Sequence, residues 1–216
     1  LIGPNGAGKT TLFNVVTGLE RPDAGGVLLG GTAVSALTPH RRARLGMART
    51  FQRLEVFGSL SVRENVLAAA QFRKSWARDG SDPGSVAGEI IERVGLGAVA
   101  GDRVDALPTG LARLVELGRA LAARPRLLLL DEPGSGLSHD ETQALGDLLI
   151  DIAADGTGIL LVEHDVDLVM RVCSLIHVLD FGQVIAAGPP AAIQADPAVQ
   201  AAYLGADTSD LQAATL

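Results

Sequence analysis

The start of the chain carries the feature that most constrains its fold, a glycine-rich stretch that reads Gly3-Pro4-Asn5-Gly6-Ala7-Gly8-Lys9-Thr10. This stretch fits the pattern GxxxxGK followed by Ser or Thr in full, and it stands between an apolar pair and a helical run. Glycines let the backbone wrap around a phosphate group, and the helix that follows adds the positive end of its dipole. The pattern therefore predicts a loop that binds a nucleoside triphosphate, with Lys9 reaching the β- and γ-phosphates and the Thr10 hydroxyl holding Mg²⁺.

Two apolar runs later in the chain each end in polar side chains. Leu127–Leu130 is followed directly by Asp131 and Glu132, and Ile159–Val162 leads through one acidic residue to His164. Such runs are typical of strands buried in a parallel sheet, and ligands of these sheets bind at the carboxyl ends of the strands. We therefore predict that Asp131 holds Mg²⁺, that Glu132 is the general base toward an attacking water, and that His164 donates a hydrogen bond to a γ-phosphate oxygen. Two acids after a strand are also compatible with simple capping of the next helix.

Gln52 stands between a glycine-punctuated β region and a helical stretch. A side-chain amide at such a junction can contact Mg²⁺ and the attacking water, and can release them when the helical part rotates. An ordinary loop glutamine would look the same from the sequence.

Hydrophobic periodicity and turn residues predict the order of the elements. Helices are expected at Lys9–Thr17, near Arg41–Met47, and at Ser61–Phe72, Val86–Val94, Gly110–Ala122, Glu141–Ala154 and Val166–Val172. Strands are expected at Leu127–Asp131, at Ile159–Glu163 and in a hairpin of Leu175–Leu179 with Gln183–Ala187, while Ser75–Ser85 is expected to be a loop. This order is typical of an α/β fold with a mostly helical lobe inserted near residues 54–122.

The composition restricts the class of protein further. The 216 residues carry a net charge of −7, which lowers the expectation of a nucleic-acid partner because phosphate backbones attract basic surfaces. The single cysteine, Cys173, cannot form an internal disulfide, which is typical of a reducing compartment. No apolar stretch reaches the roughly 18–20 residues of a membrane span. Because the chain begins at Leu1 rather than at a methionine, we expect it to lack its N-terminal part.

With these motifs in place, the chain resembles ABC transporter nucleotide-binding domains over nearly its whole length. The resemblance identifies Gln52 as the Q-loop glutamine, Leu127–Glu132 as Walker B and His164 as the switch histidine. The Walker A residues implied to contact ATP are Gly3, Pro4, Asn5, Gly6, Ala7, Gly8, Lys9, Thr10 and Thr11. The implied fold is a P-loop NTPase (RecA-like) parallel-sheet core with an inserted helical subdomain. The implied activity is hydrolysis of MgATP, with Mg²⁺ held by Thr10, Gln52 and Asp131.

The resemblance also implies partners for the chain. Two such domains work head to tail with two ATP molecules at their interface, so a second ATP-binding subunit, identical or paralogous, is expected. Transmembrane permease subunits and, indirectly, a substrate-binding protein complete the assembly, which places the chain peripherally on the cytoplasmic face of the cell membrane. The permease is expected to dock in a groove beside Gln52. The residues near this groove are Arg53, Leu54, Val56 and Phe57, and packing inside the helical lobe explains Leu54 and Phe57 equally well.

The resemblance divides the chain into four parts. Residues 1–53 form the N-terminal part of the ATP-binding core, 54–122 the helical subdomain that bears the signature, and 123–205 the C-terminal part of the core. Residues 206–216 are expected to be a disordered tail. The adenine-stacking aromatic residue of the family is expected upstream of Leu1.

Three segments point to a subfamily. Ala48–Gln52, Val162–Met170 and Asp196–Gly205 resemble the ATPases of branched-chain amino-acid importers. Importers of urea or short amides share much of this pattern, so both kinds of cargo stay open. ABC ATPases of chromosomes and DNA repair are a poorer match, because they place long coiled coils between the Walker motifs and this chain has a short insert without heptads.

The signature segment departs from the family pattern Leu-Ser-Gly-Gly-Gln, since this chain has Leu107-Pro108-Thr109-Gly110-Leu111. The resemblance assigns Thr109 and Gly110 to the nucleotide bound by the partner domain. Pro108 offers neither a hydroxyl nor an N–H, but the Thr109 hydroxyl can substitute, and the helix that begins near Gly110 still presents an anion-binding end. A catalytically weakened module within a heterodimer is the alternative.

The D-loop also departs from the family pattern. The family usually ends it in Asp or Asn, and this chain has Ser138. A capping box between Ser138 and Glu141 explains the serine as well as a functional role does.

Overall fold

The computed structural model describes residues 1–204, so the predicted disordered tail at 206–216 lies outside the described residues. The helices are α1 Lys9–Thr17, α2 Pro39–Arg44, α3 Val62–Lys74, α4 Pro83–Arg93, α5 Thr109–Ala122, α6 His139–Ala154, α7 Val166–Val172, α8 Pro190–Gln194 and α9 Pro197–Leu204. The strands are β1 Leu28–Leu29, β2 Thr32–Ala33, β3 Met47–Arg49, β4 Leu127–Asp131, β5 Gly158–Val162, β6 Ile176–Asp180 and β7 Gln183–Gly188.

Strands β3, β4 and β5 form a parallel sheet with β4 at its centre. Arg49 at the end of β3 pairs with Leu129, and Asp131 at the end of β4 pairs with Val162 at the end of β5. Leu128–Leu130 is fully buried, which is why this strand reads as a continuous apolar run. The predicted α/β P-loop fold with a parallel sheet is confirmed, and the carboxyl ends of the strands meet at one edge.

The first residues of the chain lie beside the predicted hairpin. The N–H of Ile2 donates to the carbonyl of His177 at 3.0 Å, and Ile2 forms a parallel bridge with Val178 of β6. Strands β6 and β7 are antiparallel and are joined through Phe181 and Gly182. The hairpin prediction is confirmed, and its β6 strand supports the backbone that leads into the glycine-rich loop.

Helices α3, α4 and α5 pack against one another around buried side chains that include Val66, Ile91 and Val115. Gly118 of α5 lies at this contact, where an added Cβ would be in van der Waals contact with Val66 at 3.4 Å. The same apolar cluster continues without interruption to Leu128 of β4. The subdomain boundaries at 54 and 122 therefore stay a prediction.

The region between α2 and α4 differs from the expectation at two places. The helix expected near Arg41–Met47 ends at Arg44. The expectation that Met47 is helical is wrong, because Gly46 has a φ of 95° and β3 begins directly after it at Met47. Helix α4 begins at Pro83 rather than Val86. Proline suits the first helical position, and the Asp82 side chain accepts from the Ser85 N–H at 2.8 Å and caps the helix.

Candidate active site

The predicted phosphate loop leads into the N-terminus of α1. Gly8 stands directly before the helix with a φ of 101°, a conformation that glycine adopts without strain. At Gly3 a Cβ would stand 2.0 Å from the carbonyl oxygen of Leu179, so the loop can lie against β6 only with glycine here. The first turn of α1 carries no acidic side chain, and the positive end of its dipole is therefore available to an anion.

Lys9 is held inside this loop. Its Nζ donates to the carbonyl of Gly3 at 2.6 Å and to that of Pro4 at 3.0 Å. Burial lowers the pKa of Lys9, while the nearby carboxylates of Glu132 and Asp131 act in the opposite direction. The two carbonyls thus hold the amine at the N-terminus of α1, and an amine and a helix N-terminus are both donors to phosphate.

Three predicted residues from three segments meet at one carboxylate oxygen. His164 Nε2 lies 3.0 Å from Oε1 of Glu132, and Gln52 Nε2 donates to the same oxygen at 3.4 Å. Glu132 has a φ of 51°, and its N–H donates to the carbonyl of Val162 at 2.9 Å. A left-handed backbone at a residue other than glycine is uncommon, and such strain is concentrated at functional sites.

Asp131, the last residue of β4, directly precedes Glu132 and is only 3% exposed. Its N–H donates to the Thr50 hydroxyl at 3.1 Å, and its Oδ2 lies 3.3 Å from Nη2 of Arg49. Burial raises the pKa of Asp131, and the positive charge of Arg49 lowers it.

A cavity of about 290 Å³ joins these groups. It is lined by Asn5, Gly6, Ala7, Gly8, Lys9, Thr10, Thr11, Gln52, Asp131, Glu132, Val162 and His164. The predicted residues Gly3 and Pro4 do not line it, and their carbonyls accept hydrogen bonds from Lys9. The donors fit a magnesium–nucleoside triphosphate, since an amine and a helix N-terminus suit phosphates. The hydroxyl and carboxylate oxygens suit Mg²⁺, which takes few protein ligands.

The structure does not bring Thr109 and Gly110 to this cavity. Pro108 is the N-cap of α5 and supplies no side-chain cap. Gly110 is packed against the loop after β4, where a Cβ would stand 2.6 Å from Leu137 and 3.1 Å from the carbonyl oxygen of Gly136. Contact of Thr109 and Gly110 with the nucleotide of a second domain therefore stays a prediction.

The structure contains the capping box at Ser138. The Ser138 N–H donates to Glu141 Oε2 at 2.7 Å, and the Glu141 N–H donates to the Ser138 hydroxyl at 3.4 Å. The capping explanation of this serine is thus realised in the structure, and a functional role of Ser138 stays a prediction.

Sequence reasoning missed a set of charged residues on α5 that holds the Q-loop. The buried Glu116 carboxylate accepts from the N–H of Phe51 at 3.2 Å and from that of Glu55 at 3.3 Å. Arg113 donates to the carbonyls of Phe51 and Gln52, and Arg119 donates to that of Glu55. The available signal was the spacing of these charges along a helix that otherwise buries an apolar face.

Glu163 is a second residue that sequence reasoning left without a role. It is buried, and it accepts from the N–H of Gly134 at 2.6 Å and from that of His164 at 3.1 Å. Burial raises the pKa of Glu163, and the accepted hydrogen bonds lower it. The carboxylate thereby ties the turn after β4 to the segment that carries His164. A charged residue at the end of an apolar strand was its only signal.

An apolar groove of about 300 Å³ lies between Arg49 and the helical lobe. Its aromatic lining is Phe51, Phe57, Phe72 and Trp76. Phe57 is 46% exposed and Phe72 is 67% exposed, so neither is simply packed inside the lobe. Leu54 and Val56 are partly buried against the main core instead, which favours the packing explanation for Leu54.

Comparison with known proteins defines the class of protein to which this site belongs. The model of the ABC transporter family matches residues 1–135. A second model, described as branched-chain amino acid ATP-binding cassette transporter, matches residues 183–208. The chain belongs to the ABC transporter ATP-binding family and is an ATPase, as the resemblance implied.

Individual relatives cover most of the chain. The high-affinity branched-chain amino acid transport ATP-binding protein LivG of Escherichia coli strain K12 is 38% identical, over 95% of this chain and 86% of the relative. The lipopolysaccharide export system ATP-binding protein LptB of Haemophilus influenzae is 36% identical, over 95% and 84%. A solved nucleotide-free ATP-binding cassette from an ABC transporter superposes with a TM-score of 0.82 at 29% identity, over 94% and 85%. Within residues 1–204, no helix is both long enough and apolar enough to cross a membrane.

Proposed function

We propose that this ATPase subunit powers an importer of branched-chain amino acids. The observation that carries this proposal is the match of residues 183–208 to the branched-chain amino acid cassette model. The LivG and BraF proteins, which are named for the same transport, support it over 95% of the chain. Lipopolysaccharide export is a second candidate, because LptB relatives reach 36% identity. Import of urea or short amides is the alternative that the sequence motifs leave open.

The proposed reaction is attack of water on the γ-phosphorus of ATP. Residues 5–11 of the loop, which include Lys9, bind the phosphates. Glu132 accepts a proton from the water as the water oxygen bonds to phosphorus, and the bond to the bridging oxygen of ADP breaks. His164 and Gln52 already contact the Glu132 carboxylate and hold it beside the loop.

Thr10, Gln52 and Asp131 would hold Mg²⁺ in this proposal, and all three line the cavity. When bound, Mg²⁺ neutralises charge on the β- and γ-phosphate oxygens. The residues of the chain would then fix the position of the ion. For Asp131, this depends on the groups that surround its buried carboxylate.

The proposed assembly contains two ATP-binding domains and permease subunits at the cytoplasmic face of the membrane, with a substrate-binding protein as indirect partner. A solved dimeric relative bound to ADP and Pi, 25% identical to this chain, supports the dimer. Residues 54–122 would act as the subdomain that carries Thr109 and Gly110 to the partner nucleotide. The core would comprise 1–53 and 123–205. The aromatic groove that contains Phe57 would receive the permease.

The cargo can be tested in cells that lack this subunit. Uptake of labelled leucine and of labelled urea is measured, and lipopolysaccharide at the cell surface is quantified, with wild-type and Lys9→Ala subunits as complementing genes. Loss of leucine uptake alone, restored by the wild type and not by Lys9→Ala, is the expected result. Normal leucine uptake with a defect in urea uptake or in surface lipopolysaccharide would contradict the proposal and identify the other cargo.

A further inference from the structure

Arg49 is a buried cation beside the candidate site. It is the last residue of β3, and its side chain is only 6% exposed. A buried guanidinium is costly unless it is paired and hydrogen-bonded, so its contacts indicate why it is present. The sequence motif Ala48–Gln52 contains Arg49, but neither the phosphate loop nor the water-activating residues include it.

The guanidinium of Arg49 contacts four side chains. Nη2 lies 3.3 Å from Oδ2 of Asp131, and Nη1 donates to Oδ1 of Asn14 in α1 at 2.6 Å. The planar group lies over the rings of Phe13 and Phe51, with its carbon 5.3 and 4.8 Å from the ring centroids. Because these contacts come from α1, β4 and the Q-loop, the group has one well-defined orientation.

Asp131 depends on this contact for its charge balance. Its carboxylate is 4% exposed, and within residues 1–204 Arg49 is the cation that forms an ion pair with it. Lys9 is also nearby, but its Nζ is bound to the carbonyls of Gly3 and Pro4. The ion pair uses Oδ2 of Asp131, and the same side chain lines the cavity. Arg49 therefore holds one oxygen of a carboxylate whose residue lines the candidate site.

We propose that Arg49 is a positioning residue that orients the Asp131 carboxylate for Mg²⁺ in the nucleotide complex. This inference rests on the proposed function of Asp131. Groups behind a metal-ligating carboxylate typically change metal affinity by about 10–100-fold when they are removed. The planar, forked shape of arginine matters here, because its two terminal nitrogens contact a carboxylate and an amide while its face contacts two rings. The opposite expectation is that Arg49 competes with Mg²⁺ for Asp131, in which case its removal would strengthen the effect of Mg²⁺.

The experiment measures ATP binding by the full-length subunit with and without Mg²⁺. The ratio of the two dissociation constants is the Mg²⁺ gain. Arg49→Met is expected to lower this gain by about tenfold or more and to leave ATP binding without Mg²⁺ unchanged. Arg49→Lys is expected to lower it less, because the charge is kept and the fork is lost. Arg63→Met, at an exposed residue of α3 outside the cavity, is the matched control and should keep the wild-type gain.

Asp131→Asn distinguishes a failure of the proposed role of Asp131 from a failure of the inference about Arg49. A wild-type gain in Asp131→Asn would contradict the proposed role of Asp131 itself. A lost gain in Asp131→Asn together with an unchanged or increased gain in Arg49→Met would overturn the inference about Arg49 alone. In the Asp131→Asn background, Arg49→Met should change the gain no further. If Arg49→Met does not fold, Arg49→Lys decides, and a wild-type gain in that variant overturns the inference.

Discussion

The charged residues of α5 that hold the Q-loop can be tested at Glu116, where alanine and glutamine are expected to differ. Alanine removes the acceptor of the Phe51 and Glu55 N–H groups, and each partly buried donor left without a partner costs about 1 kcal/mol. Arg113, 3.3 Å from Glu116 and with one nitrogen already unpartnered, loses its carboxylate, which adds about 1 kcal/mol. Glu116→Ala should therefore lower the free energy of unfolding by about 3 kcal/mol.

Glutamine keeps an acceptor oxygen at the same place and loses only the charge. Because glutamine can still accept from both N–H groups, and Arg113 still donates to the carbonyls of Phe51 and Gln52, Glu116→Gln should cost only about 1 kcal/mol. Urea denaturation of the two variants and the wild type gives the comparison. Equal destabilisation by alanine and glutamine would refute the reasoning, since it would show that the two accepted hydrogen bonds do not matter.

The pH dependence of the stability of Glu116→Gln and of the wild type gives an independent check. Burial raises the pKa of Glu116 above its ordinary value of 4.5, so the folded chain binds this proton more tightly than the unfolded chain does. The stability contributed by the proton is present below the unfolded pKa and is lost as the pH rises through the folded pKa. Glu116→Gln cannot lose it, so the stability of this variant relative to wild type should improve as the pH rises above 4.5, the ordinary pKa of glutamate.

Three further predictions concern activity. Glu132→Gln should keep ATP binding and lower hydrolysis by about 10²-fold or more, and equal turnover would remove Glu132 from its proposed role. Phe57→Asp should abolish transport in a reconstituted transporter while ATP binding stays near normal, whereas the control Leu28→Asp, at another exposed apolar residue, should transport normally. Gly110→Asp should abolish steady-state ATPase activity of the complete transporter and Pro108→Ser should change it only a few-fold, corresponding to about 0.5–1.5 kcal/mol.

The sequence predicts those parts of the structure that depend on local pattern. The phosphate loop, β4 and the convergence of Glu132 with His164 follow from apolar runs that end in polar residues, because parallel strands place their carboxyl ends together. Strand β3 was missed because Met47–Arg49 has no alternation of its own. It is a strand only because Gly46 ends the preceding turn and β4 pairs beside it.

The supporting contacts of the site could not be predicted, because they join residues that are far apart in the chain. Arg49 meets Asp131 across 82 positions, and Glu116 meets Phe51 across 65. Nothing in the local pattern of either segment indicates the other. A charge inside an apolar surrounding was the available signal, and it indicates that a partner exists without identifying it.

The effect of the altered signature on ATPase turnover depends on which feature matters more, the hydroxyl that Pro108 lacks or the backbone contact that Gly110 preserves. Pro108 removes one hydroxyl donor, which the neighbouring Thr109 hydroxyl can replace, while Gly110 keeps the start of α5 close to Gly136 and Leu137. A side chain at Gly110 would have to displace the Leu137 side chain 2.6 Å away, and an aspartate would also bring negative charge to the end of a helix that is proposed to meet phosphate. If Pro108→Ser raised turnover by orders of magnitude, the proline would be the cause of a low ATPase activity. The chain would then be better described as the less active member of a heterodimer. If Gly110→Asp left turnover intact, α5 would not be the helix that meets the partner nucleotide.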